Sequence, residues 1–209
     1  MIKNKLKIKS TKRFNFAGLI APFKDEKNQK IFAAVLILTS LYLIIAFVSF
    51  FFKWEADDSL VSGKDLSDII TDKKINNSIG GLGAYTANLF IKLWFGIAAF
   101  FIPLISLLAG LKLLGLKKYS LSSFIFNGIL GMLIIPIFIR HFFGGTISAG
   151  GIGIYTNELM SSAIGVLGTS LLLITISIVY IAIFFEIDTD KIQSFIAKIK
   201  PNKRKVKQE

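Results

Sequence analysis

The stretch Ile31–Phe52 decides the fold of this chain, and it reads IFAAVLILTSLYLIIAFVSFFF. None of its residues is charged, and only Thr39, Ser40 and Ser49 are markedly polar. At a rise of about 1.5 Å per residue, a helix of this length crosses a hydrocarbon core of ~30 Å with slight tilt. The stretch therefore predicts a membrane-spanning α-helix.

Three further uncharged runs of similar length follow, over residues 93–111, 121–139 and 163–185. Of the 209 residues, 53% are hydrophobic, and a soluble domain of this length has no core large enough to bury so much apolar surface. We therefore predict an all-α integral membrane protein with four transmembrane helices.

The positions of the lysines and arginines predict how these helices are oriented. Residues 1–30 contain nine of them, the turn 112–120 adds three, and seven follow from Glu186 onward. The opposite side would carry five, and its loop 53–78 holds six acids. Because cytoplasmic loops are enriched in Lys and Arg, both termini are predicted to be cytoplasmic. Lys92, directly before the second run, is interpreted as a snorkelling anchor at the outer interface.

The chain is predicted to divide into a basic cytoplasmic leader (1–30), a four-helix membrane domain (31–185) and the start of a basic cytoplasmic linker (186–209). Within the leader, Phe14–Phe23 is apolar but short, and the charged run Lys24–Lys30 follows it. A cleavable signal peptide would instead end in a small-residue cleavage site. We interpret the leader as an uncleaved anchor whose apolar segment lies on the inner membrane surface.

A seven-residue motif occurs twice, 70 positions apart. Residues 80–86 read GGLGAYT and residues 150–156 read GGIGIYT, and each copy precedes a run predicted to cross from outside to inside. This repetition predicts two tandem helical hairpins. Glycine permits tight turns and tyrosine suits the headgroup level, so the motifs are interpreted as structural re-entry turns, although a family signature is also possible. The predicted re-entry residues are Gly80, Gly81, Gly83, Tyr85, Gly150, Gly151, Gly153 and Tyr155.

Small residues and prolines predict where the helices approach each other and bend. Three small residues recur at four-residue spacing in the fourth span, and Ser106 and Gly110 form a shorter ridge in the second. Such ridges allow close packing, either within one subunit or between copies. Proline frees a backbone carbonyl, which predicts kinks in the second and third spans. The predicted packing or kink residues are Gly96, Pro103, Pro136, Ser161, Gly165 and Thr169.

The sequence offers little for enzymatic or metal chemistry. It has no cysteine, and the nearest acid to its one histidine, His141, is Glu158 in the same predicted loop, so no metal site is expected. Residues 110–118 resemble a phosphate loop only superficially, because Leu116 separates the second glycine from the lysines. The four runs contain no acid, which argues against a proton relay. We predict no catalytic residue, no cofactor, no metal and no enzymatic activity.

Two groups of residues carry a resemblance to a known family. One comprises Asn77–Ala84, Phe95–Ala99 and Phe101–Pro103, and the other comprises Gly150–Gly153 and Ile164–Thr169. In order and spacing they resemble the N-terminal four-helix membrane domain of the FtsK/SpoIIIE family of bacterial DNA translocases. The resemblance covers roughly residues 20–190.

The resemblance implies a multi-pass anchor in the bacterial cytoplasmic (inner) membrane, at the division septum. It implies contacts with membrane lipid and cell-division proteins, and a homo-oligomer, since the family's DNA pump is hexameric. The family's ATPase motor and DNA-reading domain have no counterpart in these residues, so contact with DNA is expected only through that C-terminal motor. The alternative is a small channel or transporter subunit, for which Asn127 is the one polar candidate within a span.

Overall fold

The computed structural model describes residues 25–116 and 120–185, in which every regular element is helical. A π-helical segment (Asn88–Phe95) and a 3₁₀ segment (Gly96–Phe100) join two of the α-helices into one composite helix. Most of the leader, part of the turn near residue 118 and the basic tail lie outside the described residues. The predictions made for these segments therefore concern residues outside the described part of the chain. The α-helices are α1 (Glu26–Val61), α2 (Leu66–Thr71), α3 (Gly80–Ala87), α4 (Phe101–Leu113), α5 (Leu121–Phe143) and α6 (Gly150–Phe184).

Four helical stretches are long and apolar enough to cross a membrane, namely α1, the composite helix Gly80–Leu113, α5 and α6. Each covers one of the four uncharged runs to within one residue, which confirms the prediction of an all-helical fold with four membrane-length helices. Their outer surfaces are apolar, and Phe52 and Leu167 are 83% and 82% exposed. Exposed apolar surface of this extent is the surface that a bilayer covers.

Three of these helices extend beyond their apolar runs at the same end of the bundle. Helix α1 continues to Val61, nine residues past Phe52, and the composite helix and α6 each begin 13 residues before their runs. We call this end, where α1 ends and the helices from Gly80 and Gly150 begin, the motif end. The two motifs therefore form the first turns of helices, and their role as re-entry turns stays a prediction.

Each motif-bearing helix is interrupted by a glycine 15 or 16 residues after its start. Gly96 has φ 58° and ψ −140°, and Gly165 has φ 73° and ψ 165°, both outside the helical region. The left-handed φ is one that L side chains rarely adopt, so these positions favour glycine. The repeat is thus structural as well as sequential, with a short helix at the motif end, a break at a glycine and then an apolar helix.

Helix α4 packs closely on α1. The Ser40 hydroxyl donates to the carbonyl of Pro103 at 2.8 Å, and the Ser106 hydroxyl donates to the carbonyl of Leu36 at 2.9 Å. A Cβ on Gly110 would lie 2.9 Å from the carbonyl oxygen of Ala33, so the two backbones nearly touch. The Ser106–Gly110 ridge therefore serves packing within one subunit.

Helix α6 packs on α5 in the same way. The Tyr180 hydroxyl donates to the carbonyl of Asn127 at 3.2 Å, and a Cβ on Gly153 would lie 2.5 Å from the carbonyl oxygen of Pro136. Helix α5 continues through Pro136 as one helix. Pro103 lies in the first turn of α4, and the break in the second membrane-length helix is at Gly96 instead.

Candidate functional site

The second motif meets the break in the composite helix at a junction made almost entirely of backbone. The Ile97 N–H donates to the Ser148 carbonyl at 2.8 Å, and a Cβ on Gly96 would collide with that same carbonyl. A Cβ on Gly150 would lie 2.6 Å from the carbonyl oxygens of Ile91 and Trp94. Only glycine fits at such distances, because real Cβ atoms do not approach backbone so closely. We call Gly96, Ser148 and Gly150 the glycine junction.

Gly151 and Gly153 extend this close approach along the first turns of α6. A Cβ on Gly151 would collide with the carbonyl of Leu93, and Gly153 faces the carbonyl of Pro136. The motif therefore touches both the π-helical segment and α5. Its three glycines let α6 lie against two other membrane helices at once.

The first motif has different neighbours. A Cβ on Gly81 would collide with the carbonyl of Ile69 in α2, and one on Gly83 would lie 2.6 Å from Asn77 Oδ1. Gly80 begins α3 with a φ of 74°. The side chain of Tyr85 packs against a small buried cluster that contains Val61 and Ile69. This copy fixes the connection between α1 and the composite helix, whereas the second copy fixes α6 against the composite helix.

Three hydrogen bonds from residues 76–78, just before the first motif, hold the α1–α3 connection against α1. The buried Asn77 amide donates to the carbonyl of Ala46 at 3.0 Å, and the Ser78 N–H donates to Ser49 Oγ at 2.8 Å. The Asn76 N–H donates to the buried Asp57 carboxylate at 2.7 Å. Ala46, Ser49 and Asp57 lie on α1 at helical spacing, so the contact runs along one face of that helix. We call it the polar staple.

Sequence reasoning missed the polar staple because its partners lie 19 to 31 residues apart in the chain. The signal that could have indicated it is the run Asn76-Asn77-Ser78, three hydrogen-bonding side chains directly before a glycine motif. Ser49 is a second indication, because it is one of the few polar residues in the apolar run of α1.

Lys92 is not a free anchor. Its ammonium group pairs with the Asp58 carboxylate and donates to Ser62 Oγ at 2.8 Å. Both partners lie at the motif end, where α1 ends and the connection begins. The ion pair therefore ties the π-helical segment to α1, and the interpretation of Lys92 as a snorkelling anchor at the outer interface stays a prediction.

His141, near the end of α5, joins the two parts of α6. One ring nitrogen lies 2.7 Å from Asn157 Oδ1 and the other 2.7 Å from Ser170 Oγ. In a straight α-helix, residues 13 apart would be about 20 Å from each other. One imidazole reaches both because α6 bends at Gly165, and His141 lies in that bend.

The two motif tyrosines differ in exposure. Tyr85 is partly buried against the α1–α3 connection, whereas Tyr155 is 75% exposed. Their exposures differ because the two motif helices pack against different neighbours, and the headgroup-level position of both tyrosines stays a prediction.

The predicted ridge in the fourth span is not continuous. The bend at Gly165 separates Ser161 from Thr169, so the four-residue spacing does not place them on one helical face. Thr169 is buried and its hydroxyl donates to the Gly165 carbonyl at 2.9 Å, Ser161 is half-buried, and a Cβ on Gly165 would meet nothing. These residues mark the bend rather than a packing stripe.

The motif end holds a few paired charges and no group of three or more potential metal-ligating side chains among the described residues. The contacts at the motif end hold the helices together through close approaches of their backbones. With its four membrane-length apolar helices, the chain is a multi-pass helical membrane protein.

Comparison with known families identifies the family to which the chain belongs. Residues 27–199 match the family described as the 4TM region of DNA translocase FtsK/SpoIIIE, so the chain belongs to that family. The match confirms the resemblance carried by the motif residues. No curated protein and no solved structure matches the chain.

Proposed function

We propose that this chain is the membrane anchor and assembly domain of a septal DNA translocase. It holds a cytoplasmic DNA motor at the division site and contacts cell-division proteins there. The observation that carries the proposal is the family match over residues 27–199, which coincides with the four membrane-length helices. Membership of this family implies membrane anchoring of a DNA translocase.

The proposed arrangement is two tandem hairpins with both ends of the chain in the cytoplasm. The pairing of α4 with α1 and of α6 with α5 supports the hairpins, and the surplus of Lys and Arg at both ends of the chain supports their orientation. The motif end then lies on the extracytoplasmic side of the bacterial inner membrane.

The proposed role of this region is assembly rather than catalysis, with no cofactor of its own. Contact with DNA is assigned to the translocase motor. Self-association into the hexamer expected of the family would use the side of the bundle formed by α6, where Leu167 and Leu171 are 82% and 70% exposed.

Localisation of a fluorescent fusion of residues 1–209 tests the proposal. We expect it to gather at the division site of growing cells without any motor domain. The matched control is the same fusion carrying Gly150→Ala, which disrupts the glycine junction while leaving every charge in place. An even distribution of the unaltered fusion round the cell envelope would contradict septal anchoring by this region.

A further inference from the structure

A cleft of about 480 Å³ opens at the motif end between the end of α1, the π-helical segment and the first turns of α6. Its lining combines apolar, aromatic and charged side chains with glycine backbone. Among the lining residues are Trp54, Lys92, Thr146, Gly151, Tyr155 and Glu158. Gly151, which follows Gly150 of the glycine junction, lines the cleft next to the backbone of Leu93.

The position of the cleft along the helices corresponds to the headgroup level of a bilayer. Trp54 lies two residues beyond Phe52, the last residue of the α1 apolar run. Tyr155 stands 75% exposed on the other wall. Tryptophan and tyrosine concentrate where apolar lipid tails meet polar headgroups, because their rings are apolar and their N–H or hydroxyl is polar.

The cleft lining contains one cationic and one anionic side chain, Lys92 and Glu158, each beside an oppositely charged partner, Asp58 and Arg140 respectively. Lys92 has three N–H donors, of which Asp58 and Ser62 take two, and one remains for another acceptor. The Glu158 side chain is 59% exposed, and its carboxylate lies 3.9 Å from the Arg140 guanidinium, too far for a close hydrogen bond. A ligand that matches both walls therefore offers an acceptor to Lys92 and a cationic donor to Glu158.

We propose that this cleft binds the headgroup of a zwitterionic phospholipid, phosphatidylethanolamine. Its phosphate accepts from the Lys92 ammonium, its own ammonium donates to the Glu158 carboxylate, and its acyl chains follow the apolar side chains towards the bilayer. A purely anionic headgroup such as phosphatidylglycerol meets Lys92 equally well, but it offers no cation to Glu158 and is repelled by it. The charge pattern, rather than apolar area, selects the occupant.

The proposal stands independently of the septal role, since it depends only on the cleft and its charges. Native mass spectrometry of the full chain, equilibrated in micelles with equal phosphatidylethanolamine and phosphatidylglycerol of matched acyl chains, measures which lipid is retained. We expect the unaltered chain to retain one phosphatidylethanolamine in preference. Glu158→Gln should lower that preference about threefold, the size of one partly exposed ion pair.

Glu55→Gln is the matched control. Glu55 lies near the end of α1, at the motif end, but it lines a different cavity. It removes the same charge outside the cleft and should leave the preference unchanged. The basic ends of the chain are identical in all variants, so anionic lipid held there cancels in the comparison. Equal retention of the two lipids by the unaltered chain, or the same preference in Glu158→Gln, would overturn the proposal.

A second pair of variants keeps the test independent of charge. Tyr155→Ala removes an aromatic wall and should lower retention of the phospholipid, whereas Leu159→Ala, at a 71% exposed residue outside the cleft lining, should not. Matching size-exclusion profiles establish that both variants are folded. Equal retention by the two variants would place the lipid elsewhere on the protein.

Discussion

At the glycine junction the identity of single residues is set by backbone rather than by side chains. Gly96 and Gly150 lie in the left-handed region and also face carbonyl oxygens too close for a Cβ. Two separate costs would therefore follow from any substitution there, one of backbone conformation and one of overpacking. Gly144, which ends α5, has a φ of 68° but open space around it.

The pair Gly150→Ala and Gly144→Ala separates these two costs. Gly144→Ala should destabilise the protein by about 1–2 kcal/mol, the cost of a left-handed L residue alone. Gly150→Ala should cost about 2–5 kcal/mol, because overpacking against backbone adds to the cost of the left-handed conformation. Unfolding in detergent micelles, followed by the fluorescence of Trp54 and Trp94, measures both. Equal losses of stability in the two variants would mean that the backbone at the glycine junction moves to accommodate the added Cβ without an energetic cost.

At the scale of elements, the connection between α1 and α3 is part of the folded structure. The polar staple runs along α1, and α2 packs under the first motif through Ile69. Polar contacts of this kind orient a connection as firmly as apolar packing when the donors are buried, because an unmade bond there is costly. Asn77 is buried, with 5% exposure, as are its fellow members Ser49 and Asp57.

Asn77→Ala should therefore loosen the connection, at a cost of about 1–3 kcal/mol, since it leaves the Ile79 N–H without its Oδ1 acceptor. Trypsin cleavage at Lys73 and Lys74 of the reconstituted protein should become faster. Asn76→Ala is the control, because Asn76 is exposed and keeps its backbone bond to Asp57. If both variants were cleaved at the rate of the unaltered chain, the staple would not hold the connection.

The helices that cross the membrane could be predicted from the sequence, because length and absence of charge suffice to define them. Their true ends could not, since a helix continues past Phe52 without any need for apolar residues. The bend at Gly165 was also hidden, because a glycine in an apolar run is compatible with both a straight helix and a break. The ion pair of Lys92 with Asp58 joins residues 34 apart, and no local pattern reveals such a contact.

For the whole molecule, the proposed orientation is testable because these 209 residues include no cysteine. Single substitutions Lys64→Cys and Thr146→Cys, both at exposed positions of the motif end, should react with a membrane-impermeant maleimide on intact cells. Leu116→Cys, 66% exposed at the opposite end, should react only after the membrane is permeabilised. The reverse pattern would place the termini outside the cytoplasm and contradict the orientation inferred from the basic residues.

The bend in α6 has a mechanical consequence. Tension applied to the chain beyond residue 185 would travel along the straight part of α6 to Gly165, where the helix changes direction. Before it reaches the bend, part of the load would pass sideways into α5 through the contacts of Tyr180 with Asn127 and of Ser170 with His141. A tether built in this way resists a pull with several helices and their lipid-facing surfaces together, instead of with one helix that could be drawn out lengthwise.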